Sequence, residues 1–148
     1  MILLSHRSQL AIAAVVDIAI HARPSPVSAK VLAERHRLPP RHLETVLQAL
    51  VRQGILKGVR GPRGGYAVAR ERRRITAADI VRAAMTAGGD DALPPIPDSP
   101  LVDMVVAPVV REASRAFLAS LDAVTLEELC QSAERASVRT IGAPDFTI

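Results

Sequence analysis

The chain has 148 residues and a mass of 15.8 kDa, the size of one average domain. Hydrophobic residues make up 49% and charged residues 23% of it, so it is expected to fold and is not disordered or fibrous. Aromatic residues are only 2%, which argues against proteins that stack single-stranded bases on aromatic side chains. A single cysteine, Cys130, excludes an internal disulfide and indicates a reducing, cytoplasmic setting.

Charge is distributed unevenly along the chain. Residues 1–85 carry 15 Lys and Arg against 5 Asp and Glu, a net charge of +10, whereas residues 86–148 carry 4 against 10, a net charge of −6. A basic half of this size indicates contact with a polyanion. The apolar run 10–20 is too short to span a bilayer and contains Asp17, so we expect a buried helix there and no membrane partner.

Start and stop signals predict three short helices in the basic half. Ser5 can cap the first, and the Pro-containing segment 23–26 ends it. Ser28 can cap the second, whose inward residues are expected to be Val31, Leu32 and Ala33. Pro40 suits the first position of the third.

The third predicted helix has two distinct faces. Its apolar positions recur at helical spacing and predict a core face: Leu43, Val46, Leu47 and Leu50. The opposite face is polar, with side chains able to reach phosphates and base edges in a major groove. The candidate DNA-reading residues on that face are Arg41, Glu44, Thr45 and Gln48.

A basic hairpin is predicted next. Two short alternating runs, 55–59 and 66–68, flank a Gly- and Pro-rich tip that carries Arg60 and Arg63. The glycines lack the Gly-Lys-Ser/Thr ending of a phosphate loop. The order helix, helix, polar-faced helix, basic hairpin is that of a winged helix-turn-helix. The sequence therefore predicts a mainly α protein with a small β-hairpin, in which residues 1–86 form a DNA-binding domain.

The acidic half is expected to assemble the protein. Residues 87–100 form a Pro-rich acidic linker, residues 101–138 form helices, and residues 139–148 form a loose tail. Pro108 is expected to kink a long amphipathic helix. Small residues on its apolar stripe permit close helix approach, which favours a homodimer over packing on its own domain. The candidate dimer residues are Val102, Val105, Val109, Ala113, Ala116, Phe117 and Leu121.

Several segments together resemble a known family. They are Val-Arg-Gly-Pro-x-Gly-Gly-Tyr at 59–66, Ala-Arg at 69–70, Ile-Thr-x-x-Asp-Ile-Val-x-Ala at 75–83, His-Leu-Glu at 42–44 and Thr-Leu-Glu-Glu-Leu at 125–129. This pattern resembles the Rrf-two family of bacterial transcription regulators, in its IscR/NsrR-like group. The resemblance implies a winged-helix homodimer, crossed through long C-terminal helices, that binds a partly palindromic operator. The resemblance implies that Arg41, His42, Glu44 and Thr45 lie at the base-reading surface. It also implies that Arg60 corresponds to an arginine that members of the family have in the wing.

One departure from that family concerns its cofactor. Cluster-binding members have three closely spaced cysteines between the wing domain and the dimer helix, where this chain has Asp90, Asp91, prolines and Asp98. Carboxylates cannot replace thiolates around an iron-sulfur cluster, so we expect no cofactor. The effector remains open between a small molecule, a partner protein and oxidation of Cys130, whose helical spacing is more typical of an inert buried residue.

Enzyme chemistry has no support in the sequence. No Ser/His/Asp, Cys/His or paired-carboxylate arrangement lies in the basic half, and the four histidines lack the spacing of a metal site. Two functions from different classes remain. One is a homodimeric, sequence-specific transcriptional regulator with repression as the expected mode, and the other is a winged-helix module that binds proteins through its acidic part. The charge of +10 favours the regulator, because an adaptor does not need it.

Overall fold

The structure is a computed structural model that describes residues 4–23, 25–87 and 99–141. Its elements are α1 His6–His21, α2 Ala29–His36, α3 Pro40–Arg52, β1 Leu56–Val59, β2 Gly65–Val68, α4 Ala77–Met85, α5 Ala107–Asp122 and α6 Leu126–Ile141. A 3-10 turn, Arg72–Arg74, precedes α4, and a π-helical segment, Val102–Val106, precedes α5. The predicted mainly helical fold with one small hairpin is confirmed. Most of the predicted linker and tail lies outside the described residues.

The helix starts predicted from the sequence are present. The Ser5 and Ser28 side chains each accept a hydrogen bond from the backbone amide three residues on, at 3.1 and 3.2 Å, and Pro40 is the first residue of α3. These bonds satisfy amide groups that have no partner inside the helix. Reciprocal capping boxes also begin α4 and α6, joining Thr76 with Asp79 and Thr125 with Glu128.

The core is aliphatic and lies where α1 meets α3, α4 and the start of α6. The largest fully buried side chains are all aliphatic, and they include Ile18, Leu32, Leu43, Leu47, Leu50, Ile55, Leu56, Ile75, Ile80 and Leu126. The first turn of α6 takes part, because Leu126 and Cys130 are both fully buried. The C-terminal helix is thus packed against the N-terminal body as well as following α5.

A charged cluster holds α1 against α2, which sequence patterns did not reveal. The Asp17 side chain is nearly buried and binds His21 and His36, each at 3.1 Å, as well as the Arg35 guanidinium. The prediction that Val31 faces inward is wrong, since 38% of it is exposed. Leu32 and Ala33 are the two residues of α2 that are buried in the core, because a helix of eight residues has only a narrow buried stripe.

At Pro108 the structure shows a π-helical segment, and the predicted kink of the helix axis stays a prediction. A proline has no amide hydrogen, and its ring displaces the carbonyl four residues earlier. Here the residues before α5 form the π-helical segment, in which the Ala107 amide bonds to the Val102 carbonyl. This wider turn accommodates the proline locally while the helix continues into α5.

Candidate nucleic-acid interface

Helix α3 is fixed to the body by its apolar face. Leu43, Leu47 and Leu50 have no exposed surface, and Val46 is also buried. The turn before α3 is closed tightly, since Arg37 adopts a left-handed conformation with φ of 54° and the next amide bonds to the Ala33 carbonyl at 2.9 Å. Deep burial on one face therefore presents the opposite face of α3 to solvent in a fixed orientation.

The five candidate reading residues of α3 all lie in solvent. Arg41, His42, Glu44, Thr45 and Gln48 are each exposed. The Thr45 hydroxyl lies 3.5 Å from the Arg41 carbonyl, which is a weak bond at most. The structure therefore brings them together on one accessible surface, whose side chains are available to base edges and phosphates.

The hairpin forms a wing with a cationic tip. Strands β1 and β2 are antiparallel, and Val59 pairs with Gly65 at the end nearest the tip. Arg60 and Arg63 lie in the connection beyond that pair, and both are exposed. The tip is closed by a 2.9 Å bond from the Gly64 amide to the Gly61 carbonyl. Both predicted wing arginines are thus presented to solvent at the end of a short, hydrogen-bonded ribbon.

The wing is joined to the helix-turn-helix by a backbone contact that the sequence did not predict. Val27, just before α2, forms a bridge with Tyr66 of β2, with hydrogen bonds of 3.0 and 2.7 Å. Burial raises the pKa of the Tyr66 hydroxyl above its usual value, and the nearby Glu44 carboxylate raises it further. The bridge thus attaches β2 of the wing to the segment that precedes α2.

This bridge depends on a glycine. A Cβ atom built on Gly65 would lie 2.4 Å from the Val27 carbonyl oxygen, whereas one built on Gly58 in the facing strand would meet nothing within 4 Å. Backbone atoms cannot move aside as a side chain can, so only glycine allows β2 to approach Val27 so closely.

Replacing Gly65 should therefore loosen the wing. We expect Gly65→Ala to lower the free energy of unfolding by about 1–3 kcal/mol, whereas Gly58→Ala should change it by no more than about 0.5–1 kcal/mol. Urea denaturation of both variants measures this difference. Equal stability of the two variants would show that the contact at Val27 does not constrain the wing.

Further arginines follow the wing, at positions for which the sequence predicts no role. Arg72 donates to the Ala19 carbonyl at the end of α1, and Arg70 donates to the Gly54 carbonyl at 3.2 Å. Both arginines therefore attach the hairpin and the segment after it to neighbouring backbone through hydrogen bonds. Arg73 and Arg74 are exposed and add to the positive charge of the body.

The predicted dimer residues fall into two environments on the π-helical segment and α5. Phe117, Leu121 and Val102 are partly buried. The others are open to solvent in this single chain: Val105, Val109, Ala113 and Ala116. The last three, with Pro108 and Glu112, line a shallow groove of about 530 Å³. Valines here are strongly exposed, with values of 55% for Val105 and 67% for Val109.

Metal and membrane sites find no support in the described parts of the chain. No group of three or more His, Cys, Asp or Glu side chains within residues 4–23, 25–87 and 99–141 is arranged to hold a metal ion. Cys130 is fully buried, and burial raises the pKa of its thiol, which disfavours the reactive thiolate. Of the helices in those ranges, none has both the length and the apolar character to cross a bilayer.

Comparison with known proteins identifies the family. The family model Rrf2, described as an iron-dependent transcriptional regulator, matches residues 4–132. The chain belongs to the Rrf2 family. Rrf2 proteins are winged-helix, DNA-binding transcription regulators, and this confirms both the family resemblance and the fold class expected from the sequence.

Individual Rrf2 relatives and solved structures agree. The chain is 33% identical over 131 residues to slr0846, a regulator of the helix-turn-helix type from Synechocystis, covering 85% of this chain and 86% of that protein. It is 32% identical over 80 residues to the regulator IscR of Xenorhabdus nematophila and spans 49% of that protein's length. The structure of T. potens IscR superposes with a TM-score of 0.69 at 32% identity, covering 91% and 90% of the two chains.

A second similar structure is that of another regulator. CymR, the global cysteine regulator of B. subtilis, superposes with a TM-score of 0.65 at 26% identity, covering 89% of this chain and 98% of that one. The relatives and neighbours described here are transcription regulators, and none is an enzyme.

Proposed function

We propose that this Rrf2 protein is a homodimeric, sequence-specific DNA-binding regulator that acts in the cytoplasm, normally as a repressor, without an iron-sulfur cluster. The observation that carries the proposal is the exposure of the polar face of α3 together with that of the cationic tip of the wing. The reading residues of α3 and Arg60 and Arg63 of the wing are exposed together, while the apolar side of α3 is completely buried. Such a surface suits a major groove and an adjacent backbone or minor groove.

The electrostatics support double-stranded DNA as the partner. Residues 1–85, which make up the winged body, carry a net charge of +10. Displacing counterions from phosphates supplies most of the affinity of such surfaces for DNA, and base contacts supply the specificity. A protein-binding module would not need this concentration of arginine around α3 and the wing, so the regulator is the better explanation of the charge.

Dimerisation is supported by the exposed apolar residues of the α5 groove. A single soluble chain rarely leaves a contiguous apolar surface uncovered, and valines that are more than half exposed flank two alanines here. Ala113 and Ala116 would let a second helix approach closely. A two-fold dimer would cover both grooves at once and would match a partly palindromic operator.

The residues present do not fit the cluster that the family's description as iron-dependent implies. A cluster needs several thiolates or imidazoles in one place, and this chain has one cysteine, which is buried in the hydrophobic core. The segment that carries ligands in cluster-binding members has aspartates, which are hard ligands unsuited to iron-sulfur centres. The proposed effector is therefore a small molecule or a partner protein, and no regulatory step through a cluster is proposed.

The wing can be tested by its salt dependence. Each phosphate contact contributes a slope of about 0.9 to the fall of log affinity with log salt. We expect an Arg60→Ala, Arg63→Ala variant to bind all DNA sequences more weakly and to lose about two units of slope for each winged body, hence about four for the proposed dimer.

The matched control removes the same charge from α5. An Arg111→Ala, Arg115→Ala variant alters two exposed arginines outside the wing and should keep the slope of the unmodified protein. Fluorescence anisotropy of a labelled duplex over a salt series gives both values. An unchanged slope in the Arg60→Ala, Arg63→Ala variant would show that the wing does not contact phosphates.

A further inference from the structure

A carboxylate at the end of α5 joins this helix to α4. The Arg82 guanidinium of α4 donates two hydrogen bonds to Asp122, of 3.2 Å to Oδ1 and 2.9 Å to Oδ2. The Thr76 hydroxyl donates a third, of 3.2 Å, to Oδ1. Thr76 is also the N-cap of α4, so Asp122 contacts both the beginning of α4 and a residue further along it. Paired bonds of this kind fix orientation as well as distance.

Backbone hydrogen bonds complete the same joint on its other side. The Ala77 amide bonds to the Val124 carbonyl and the Leu126 amide to the Ile75 carbonyl, each at 2.8 Å. The segment after α5 is therefore attached to the body next to the start of α4. With this attachment in place, the two-bond Arg82–Asp122 pair adds a directional contact between α4 and the end of α5.

The length of α5 makes its direction important. Its 16 residues span about 24 Å, so a rotation of about 10° at the joint moves its far end by about 4 Å. Val109 lies near that end of α5 and Val105 lies just before it. Both are exposed and available to a second copy. Since α4 packs on α3 in the body, the angle at the joint determines where α3 lies relative to the dimer axis.

We propose that the Arg82–Asp122 pair sets the spacing between the two DNA half-sites that the dimer accepts. The inference rests on the proposed function, in which α5 pairs with its twin and each α3 reads one half-site. One base pair corresponds to about 3.4 Å of rise along the DNA, which is comparable to the movement of about 4 Å that a rotation of about 10° at the joint would cause. Arg82 and Asp122 are thus positioning residues that touch no DNA.

The pair is suited to this role because it is not needed to hold the fold together. Both side chains are nearly half exposed, at 47% and 44%, and exposed ion pairs contribute little to stability. The hydrogen bonds from Arg82, with a smaller contribution from Thr76, lower the pKa of the Asp122 carboxyl, so it is charged at neutral pH. Removing the pair should therefore change geometry without unfolding the protein.

The test compares operators that differ only in half-site spacing. Duplexes are first selected from a random library with the unmodified protein, and one base pair is then inserted or removed between the half-sites. We expect the affinity of the unmodified protein to fall at least about tenfold for the altered spacings, because one α3 then no longer meets its half-site. Arg82→Ala and Asp122→Ala should vary by less than about threefold over the same set.

Additional variants separate positioning from a merely structural effect. The double variant Arg82→Ala, Asp122→Ala should match the single variants, because two residues that act through each other are not additive. Arg82→Lys keeps the charge and should recover part of the spacing preference. Arg111→Ala, which removes an exposed arginine of α5 that does not line the groove, should behave as the unmodified protein. All variants should bind a duplex with one half-site as the unmodified protein does.

The two possible failures are distinguishable. If the unmodified protein selects a two-fold operator and the Arg82 and Asp122 variants keep its spacing preference, the inference is overturned and the proposed function stands. If the unmodified protein selects no two-fold operator, the proposed function fails and the inference fails with it.

Discussion

An Ala113→Glu substitution is expected to convert the proposed dimer into a folded monomer. Ala113 lines the α5 groove and is exposed in the single chain, so a glutamate costs the protomer little. In the dimer it would be a buried, unpaired carboxylate beside Glu112, which costs about 3–5 kcal/mol and raises the dimer Kd at least about a hundredfold. Operator affinity should fall with it, because two linked winged bodies bind far more tightly than one.

Sedimentation and circular dichroism together measure this effect. Ser114→Glu is the matched control, since Ser114 is the next residue, is exposed and points away from the groove by about 100° of helix rotation. It should remain dimeric. If Ala113→Glu sediments as a dimer with unchanged Kd, the second copy does not cover this face of α5.

Substitutions on the reading face of α3 should change which DNA sequence is preferred. Arg41 and Glu44 are exposed on this face, and removing a side chain that contacts a base costs about 1–3 kcal/mol at the preferred site and much less elsewhere. We therefore expect Arg41→Ala and Glu44→Ala each to reduce the preference at one position of the site roughly 5- to 150-fold. The core face of α3 is untouched, so stability should be unaffected.

Competition against single-base variants of the selected operator measures this preference. Glu34→Ala is the control for Glu44→Ala, because Glu34 is an exposed glutamate of α2 outside the reading face. It should leave the order of preference unchanged. If Arg41→Ala and Glu44→Ala also leave that order unchanged, the specificity is carried by residues other than those predicted.

Local signals account for most of the fold that the sequence predicts. A cap such as Ser5, Ser28 or Thr76 acts within three residues of itself, so its pattern is visible in the chain. Long-range contacts have no such pattern. Asp17 and His36 meet across 19 residues, and nothing around Asp17 indicates that a charged side chain in an apolar helix would be satisfied by α2.

The candidate site also combines local features, which the sequence predicts, with long-range contacts, which it does not. The reading face of α3 was predictable because burial of Leu43 and Leu47 requires the opposite face to be exposed. The wing tip was predictable from its glycines and arginines. The bridge from Val27 to Tyr66 and the pairing of Arg82 with Asp122 join residues about 40 apart, and only the folded chain brings them together.

Selection of DNA from a random duplex library tests the central claim most directly. The full chain is used at about 0.15 M salt in two preparations, one untreated and one incubated anaerobically with iron and sulfide, and both are assayed for bound iron and sulfide. We expect the same two-fold repeated sequence to be enriched by both preparations, with no stoichiometric cluster in either. Enrichment of no sequence, or enrichment only by protein that has acquired a stoichiometric cluster, would contradict a cluster-independent DNA-binding regulator.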